Sequence, residues 1–168
     1  MKTTLTPEKV SKKGQQVDTH HVDQLVRNYK KERWVQNTKN LGKVDSLSTW
    51  YGMDELQSFL QLARENQADG IKMYYGVYPE DYPAVPEFGG RQTVVLVATK
   101  KKTTDHGIVN KDIYIQKDGI GEILAFNVGQ LCPPWCGNDF PPEGGPYGIE
   151  MEKIGISILE QDNKIIVL

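Results

Sequence analysis

The run Thr93-Val94-Val95-Leu96-Val97-Ala98-Thr99 decides the fold predicted for this chain. It is apolar at successive positions, so both sides of the strand that it predicts must be covered, as in the centre of a sheet. The segment before it, Ile71 to Tyr78, alternates in character and predicts a neighbouring strand with two unlike faces. Between them, residues 79–91 hold three prolines and two glycines and predict a loop,. Lysines 100–102 are expected to end the central strand.

Two amphipathic helices are predicted ahead of these strands. The first spans residues 19–36, with Asp18 or Thr19 as its N-cap. Apolar positions at helical spacing predict the side of this helix that packs on the domain. They are Val22, Leu25, Val26 and Tyr29.

The second predicted helix spans residues 53–67, where Asp54 and Glu55 lie in a first turn that favours negative charge. Gly70 is expected to end it, because glycine readily adopts a positive φ. The predicted buried stripe is Leu56, Phe59, Leu60 and Ala63.

The remaining elements are predicted to be strands. Segments 112–116 and 122–127 flank the turn Lys117-Asp118-Gly119, and segments 154–159 and 164–168 form a second hairpin,. The order of elements predicts an α+β fold, with two N-terminal helices packed on an antiparallel or mixed sheet of about five to six strands. Residues 1–17 are expected to be a flexible polar lead-in, and residues 18–168 a single domain.

Composition and charge limit the class of protein. The chain is 38% hydrophobic and 25% charged, which is typical of globular proteins,. Residues 1–40 carry nine basic and four acidic side chains, a net of +5, which leaves −7 for the remainder of a chain whose total is −2. Without interleaved aromatic residues or a known motif, we interpret the basic segment as a solvated helix face and expect no nucleic-acid partner. No membrane span or secretory signal is recognised, so a soluble cytoplasmic protein is expected.

The stretch Leu131-Cys132-Pro133-Pro134-Trp135-Cys136-Gly137 holds both cysteines of the chain. The two prolines restrict φ between the thiols and predict a loop that presents them at a nearly fixed separation. Such a loop suits a disulfide, half of a metal site or a tight structural turn. The reducing compartment expected for this chain argues against a permanent disulfide.

No cofactor is predicted, and zinc is kept as an alternative. A zinc site needs more ligands than the two cysteines, and His106 is the first candidate to join them. The other candidates are His20, His21 and Asp139. No catalytic residue is predicted, since the chain has no nucleophile elbow, phosphate loop or dinucleotide fingerprint.

Aromatic residues are frequent around the loop 79–91 and the cysteine loop. Tyrosine and tryptophan are enriched at binding hot spots because they bury a large area and keep a polar group. They predict a shallow groove beside the cysteine loop, lined by Tyr74, Tyr78, Tyr82 and Trp135. The alternative is that Tyr74 and Tyr78 cover the second face of the sheet beneath the second helix.

The order of five short motifs resembles that of an uncharacterised family of small bacterial proteins. The motifs are Val-Arg-Asn-Tyr at 26–29, Met-Asp-Glu-Leu at 53–56, Gly-Ile-Lys-Met-Tyr-Tyr-Gly at 70–76, Thr-Val-Val-Leu-Val at 93–97 and Cys-Pro-Pro-Trp-Cys-Gly at 132–137. The resemblance covers roughly residues 20–137, with Lys72 where the family pattern has arginine. It implies no activity and no functional residue, because none is assigned to the family.

Three functional hypotheses follow, and the one that we favour is not enzymatic. The leading one is a non-enzymatic binding module that uses loops 79–91 and 128–148 against a protein or small-molecule partner. The second is a thiol-dependent metal-binding or redox function centred on Cys132 and Cys136. The third is a hydrolase with an unrecognised site. A homodimer paired through strand edges at 112–116 or 165–168 is also left open.

Overall fold

The computed structural model describes residues 14–136 and, as backbone only, two strands near the C-terminus. The helices are α1 (Thr19–Tyr29), a π-helical turn (Lys30–Trp34), α2 (Val35–Leu41) and α3 (Met53–Glu65), with a 3-10 turn at Pro86–Phe88. The strands are β1 (Ser48–Trp50), β2 (Gly70–Val77), β3 (Gln92–Thr104), β4 (Gly107–Asp112), β5 (Tyr114–Lys117), β6 (Ile120–Ile123), β7 (Ala125–Phe126), β8 (Gln130–Cys132), β9 (Ile158–Gln161) and β10 (Lys164–Val167). All pairings of these strands are antiparallel, which confirms the predicted α+β class. In the described part of the chain, no helix is long and apolar enough to cross a membrane.

The first helix is longer than predicted, because it continues without a break from Thr19 through the π-helical turn to Leu41. Asp18 caps its start, and the Asp18 carboxylate accepts a hydrogen bond from the backbone N–H of His21 at 2.8 Å. Gly42 ends the helix at a φ of 71°, a conformation that glycine adopts without steric cost,.

The buried side of this helix agrees only in part with the apolar stripe that the spacing predicts. Val22, Val26 and Tyr29 are half-buried, whereas Leu25 is 56% exposed. The most buried residues are Asp23, Lys30, Trp34 and Thr38. The predicted stripe ends at Tyr29, and the wider π-helical turn that follows it rotates later residues such as Trp34 and Thr38 around the axis, so one 3.6-residue period cannot describe the whole helix,.

The helix α3 covers one face of the main sheet, as predicted. Phe59 and Ala63 pack against Leu96 and Ala98 of β3, and Leu56 lies at the margin of this cluster. The fourth residue of the predicted stripe, Leu60, is 41% exposed.

The end of α3 differs from the prediction. The helix ends at Glu65, and Gln67 rather than Gly70 takes the left-handed conformation, with a φ of 63°. Gly70 is instead the first residue of β2, where it lies opposite Thr99.

The strand β3 is the centre of the main sheet, in which the order is β2-β3-β4 and β7 also pairs with β3. The two strands predicted at 71–78 and 93–99 are confirmed as neighbours in one continuous register. Lysines 100–102 do not end the central strand, because β3 continues to Thr104 and pairs with β4. Their side chains are exposed, and lysine is well tolerated where a strand projects into solvent,.

Three strands meet at Ala98. The Ala98 N–H donates to the Leu124 carbonyl, the Leu124 N–H to the Ile113 carbonyl and the Ile113 N–H to the Ala98 carbonyl, at 2.8–2.9 Å. This ring joins the β5–β6 hairpin to the main sheet and divides the strand predicted at 122–127 into β6 and β7. The predicted turn is confirmed, with positive φ at Asp118 and Gly119.

The C-terminal hairpin is also confirmed, since β9 and β10 pair with each other. Residues 154–157 and 168 of that prediction lie outside the described residues, as do residues 1–13 of the lead-in.

Candidate functional site

The cysteine loop is built onto a two-stranded sheet. Strand β8 pairs with β1, with Cys132 opposite Ser48, and the Leu47 N–H donates to the Cys132 carbonyl at 2.7 Å. The Trp135 N–H then donates to the Leu131 carbonyl at 2.9 Å, which closes the turn. The strands therefore fix where the loop begins and how it turns back.

The two cysteines form a disulfide across this turn, with their Cα atoms 4.7 Å apart. The sequence left open a disulfide, half of a metal site and a tight structural turn, and the structure contains the disulfide. It corrects the expectation that a permanent disulfide is disfavoured. That expectation depended on a reducing compartment, and a bridged pair is typical of non-reducing surroundings.

The loop 79–91 packs against the cysteine loop through a small second core. Tyr78, Phe88 and Leu131 are buried together, and Tyr82 and Val85 pack against them. The Phe88 ring is the link, since its centroid lies 5.5 Å from that of Tyr78 and 4.8 Å from that of Trp135. The two loops thus form one continuous surface, which we call the Trp135 surface: residues 79–91 and 128–136, with Trp50 of β1.

Three of the four residues predicted to line a groove, namely Tyr78, Tyr82 and Trp135, lie in or beneath the Trp135 surface, but they differ in burial. Tyr78 is 7% exposed and belongs to the small core, and its hydroxyl donates to Asn127 Oδ1 at 2.5 Å. The ring of Tyr82 contacts that of Tyr78 in a tilted arrangement, with ring centroids 4.5 Å apart. Trp135 alone of these three is largely accessible, at 43%.

Tyr74 does not join the others. Its hydroxyl donates to Asp112 Oδ2 at 2.8 Å and lies 3.3 Å from Lys72 Nζ. Lys72 Nζ also donates to Asp112 Oδ1 at 2.6 Å, so the three side chains form a polar cluster on the sheet. The alternative prediction, that Tyr78 lies beneath the second predicted helix, is wrong. That helix is α3, which packs on the sheet face of Leu96 and Ala98, whereas Tyr78 belongs to the small second core.

A second exposed tryptophan is linked to the Trp135 loop through Gln130. Trp50 is 63% exposed and lies directly opposite Gln130 in the β1–β8 pair. The Gln130 side-chain amide donates to the Trp135 carbonyl at 2.6 Å. Gln130 thus connects the strand that bears Trp50 to the loop that bears Trp135. Trp50 is not among the predicted site residues, and its signal in the sequence is a tryptophan in a short segment that could be extended.

The segment that precedes β8 contains a residue with a strained backbone conformation. Val128 has a φ of 68°, and its side chain is 52% exposed. A β-branched residue in the left-handed region costs of order 1–3 kcal/mol, and such strain is concentrated at functional sites. Next to it, a Cβ on Gly129 would come within 2.5 Å of the Tyr51 ring, so only glycine fits there.

The charges of the Trp135 surface are acidic. Glu80, Asp81 and Glu87 are exposed on the loop 79–91. The basic residue of that loop, Arg91, is buried, and its Nε donates to the Glu87 carbonyl at 2.8 Å. Burial lowers the pKa of Arg91, and the nearby Asp45 opposes that shift. Residues 128–136 carry no charged side chain, so the exposed charge here is negative.

The predicted metal candidate His106 lies away from the cysteines, exposed in the turn between β3 and β4. Its backbone N–H lies 3.3 Å from Thr104 Oγ1. His20 and His21 are exposed in the first turn of α1, and Asp139 lies outside the described residues. Among residues 14–136, no three His, Cys, Asp or Glu side chains are grouped so that they could hold a metal ion.

Comparisons with family models, with curated proteins and with solved structures give no match for this chain. The resemblance to a family of small bacterial proteins therefore stays a prediction.

Proposed function

We propose that this chain is a non-enzymatic binding module that uses the Trp135 surface to bind a polypeptide with basic side chains. The observation on which the proposal depends is the indole of Trp135. It is 43% exposed, yet it rests on Phe88 and belongs to a loop closed by a disulfide. A large aromatic side chain that is accessible and already ordered loses little conformational entropy on binding.

The charge of the surface supports the choice of partner. Glu80, Asp81 and Glu87 present carboxylates beside the aromatic residues, and the guanidinium of Arg91 is turned into the protein. Complementary charge speeds association with a basic partner and disfavours an acidic one. The strained backbone at Val128 is a further supporting feature, since it lies within the same surface,.

The test is selection of a random peptide library on the full chain, followed by affinity measurement at low and high salt. Enriched peptides should be rich in lysine and arginine, and binding should weaken as salt rises. Trp135→Ala should weaken it at least about tenfold, as expected for a hot-spot residue. The matched control is Tyr114→Ala, which removes an aromatic ring that is 66% exposed elsewhere on the chain. No enrichment, or equal binding by Trp135→Ala, would contradict the proposal.

A second candidate function is thiol–disulfide exchange, favoured by the bridge between Cys132 and Cys136. An external dithiol would reduce the bridge to two thiols and itself become a disulfide. Incubation with reduced dithiothreitol and thiol counting test this candidate. A pair that neither exchanges with model disulfides nor returns to the bridged state would exclude it. The metal-binding alternative would require the reduced pair, because bridged sulfurs are not thiolate ligands.

A further inference from the structure

The strand β2 exposes a row of large apolar side chains. Met73, Tyr75 and Val77 are 68%, 85% and 68% exposed, respectively. They lie opposite Leu96, Val94 and Gln92 in β3, and so share the face on which α3 packs. Only Ile71, at the start of the row, lies against the core that α3 covers. Large exposed apolar rows of this kind are unusual in a monomer and mark interaction surfaces.

The outer edge of β2 is also unpaired among the described residues. Its eight residues pair only with β3, and they do so in one register without a bulge. Proteins usually block an exposed edge with proline, a bulge or charged side chains. The one charged residue of β2, Lys72, is bonded to Asp112, and the other edge strand, β4, by contrast carries Asn110, Lys111 and Asp112.

The sequence of β2 allows two copies of this strand to pair antiparallel with each other. If two copies pair antiparallel about a two-fold axis at Tyr74, Ile71 lies opposite Val77 of the second copy and Met73 lies opposite its Tyr75. Apolar side chains then face apolar side chains along one face, and aromatic–aliphatic pairs of this type stabilise sheets. On the other face, Lys72 lies opposite Gly76, so no like charges meet.

Neighbouring registers are less favourable. If the two-fold axis passes through Met73 instead, Asp69 lies opposite Val77 of the second copy, so a charged residue faces an apolar one. The Asp69 carboxylate also already accepts a hydrogen bond from the Lys101 N–H at 3.0 Å. An axis at Lys72 places the two Lys72 ammonium groups directly opposite each other, which is destabilising. The charge pattern therefore favours the axis at Tyr74.

We propose that β2 is the interface of a homodimer, in which two copies pair antiparallel about Tyr74 and join their main sheets into one. No residue of β2 belongs to the Trp135 surface, and the proposal does not depend on the proposed function. Both copies contribute the same residues, as a two-fold interface requires.

The test measures the dissociation constant of the full-length dimer by sedimentation equilibrium. The double variant Met73→Lys/Tyr75→Lys places new lysines directly opposite each other across the axis and should raise the dissociation constant roughly a hundredfold or more. In Met73→Lys/Tyr75→Glu, each new lysine faces a new glutamate, and dimerisation should be largely recovered. The matched control is Ile108→Lys/Ile120→Lys, at positions 71% and 66% exposed outside β2, and it should dimerise like the wild type.

Each outcome decides the proposal. A wild-type chain that stays monomeric, dimers insensitive to the two new lysines, or equal dissociation of both double variants would overturn it. Amide hydrogen exchange of the wild type gives a readout that needs no variant. Protection of residues 71–77 should rise with protein concentration, whereas that of residues 107–112 should not. A rise at β4 without one at β2 would also overturn the proposal.

Discussion

The backbone N–H of Gln92 donates to Oδ1 of Asp45 at 2.7 Å, although the two residues lie 47 positions apart. Asp45 is 3% exposed, and the same oxygen also accepts from the Ser46 N–H at 2.8 Å. The Asp45 main chain accepts from Trp34 Nε1 at 2.8 Å, which attaches the first helix. Asp45 therefore connects the first helix, through its main chain, to the start of β3, through its carboxylate.

Replacement of this carboxylate should be among the most damaging single changes. We expect Asp45→Ala to lower the free energy of unfolding by about 2–4 kcal/mol, because two buried N–H groups lose their acceptor. Urea unfolding at pH 7 measures the loss. Asp81→Ala, which removes an exposed carboxylate, should change stability by less than about 0.5 kcal/mol,. A similar loss in both variants would show that the Asp45 bonds contribute little.

The Lys72–Asp112 pair should give a pH-dependent contribution to stability. The hydrogen bond from Lys72, and to a lesser extent that from Tyr74, holds the pKa of Asp112 below its usual value, and Asp112 in turn raises the pKa of Lys72. A carboxylate with a depressed pKa stabilises the fold above its unfolded pKa of about 3.9, and this contribution is lost as the pH falls through the folded pKa. The raised pKa of Lys72 means that its contribution is lost only at strongly alkaline pH.

Asp112→Asn isolates this contribution. The variant should be less stable than the wild type at pH 7, and the difference should shrink towards zero as the pH falls through the depressed folded pKa of Asp112,. The two partners are 36% and 23% exposed, so the difference should also fall at high salt,. Urea unfolding at a series of pH values checks both trends, and a difference independent of pH would refute the assignment.

Some parts of the fold are predictable because local sequence determines them. The β2–β3 pair follows from alternation beside a continuous apolar run, and the Asp118-Gly119 turn follows from the positive φ that those residue types tolerate,. The N-cap at Asp18 is equally local.

Other parts depend on contacts that a linear pattern does not contain. Beyond Tyr29, the side of the first helix that is buried depends on a π-helical turn and on bonds such as that from Trp34 to Asp45. At the candidate site, the sequence indicated the aromatic loops, but the contact of Phe88 with Trp135 and the position of Trp50 opposite Gln130 follow only from the folded chain. Tyr74 lies elsewhere because of its place in the β2–β3 register, and its hydroxyl donates to Asp112, 38 positions away.

The end of α3 offers a stabilising substitution. Gln67 holds a φ of 63° that glycine adopts without steric cost,. We expect Gln67→Gly to raise the free energy of unfolding by about 0.5–1 kcal/mol, less the loss of one exposed hydrogen bond from Lys100,. The matched control is Gln61→Gly in the exposed middle of α3, which should lower stability by about 1 kcal/mol,. Thermal unfolding should separate the two variants in opposite directions, and loss of stability in both would show that the left-handed residue is not strained.

The disulfide should contribute to stability mainly through the unfolded chain. Cys132 and Cys136 are four residues apart, and closing a loop of this length is worth about 2 kcal/mol by the chain-entropy estimate,. Cys132→Ser/Cys136→Ser should therefore unfold at lower urea concentration by that amount. The wild type in excess dithiothreitol should match the variant, whereas the variant itself should be unaffected by the reductant. Because Trp135 belongs to the same loop, its fluorescence should shift in both cases and stay unchanged in Tyr114→Ala. Equal stability of the bridged and serine forms would mean that the strand pairing of Cys132 with Ser48 and the packing of Trp135 on Phe88 hold the loop without the bridge.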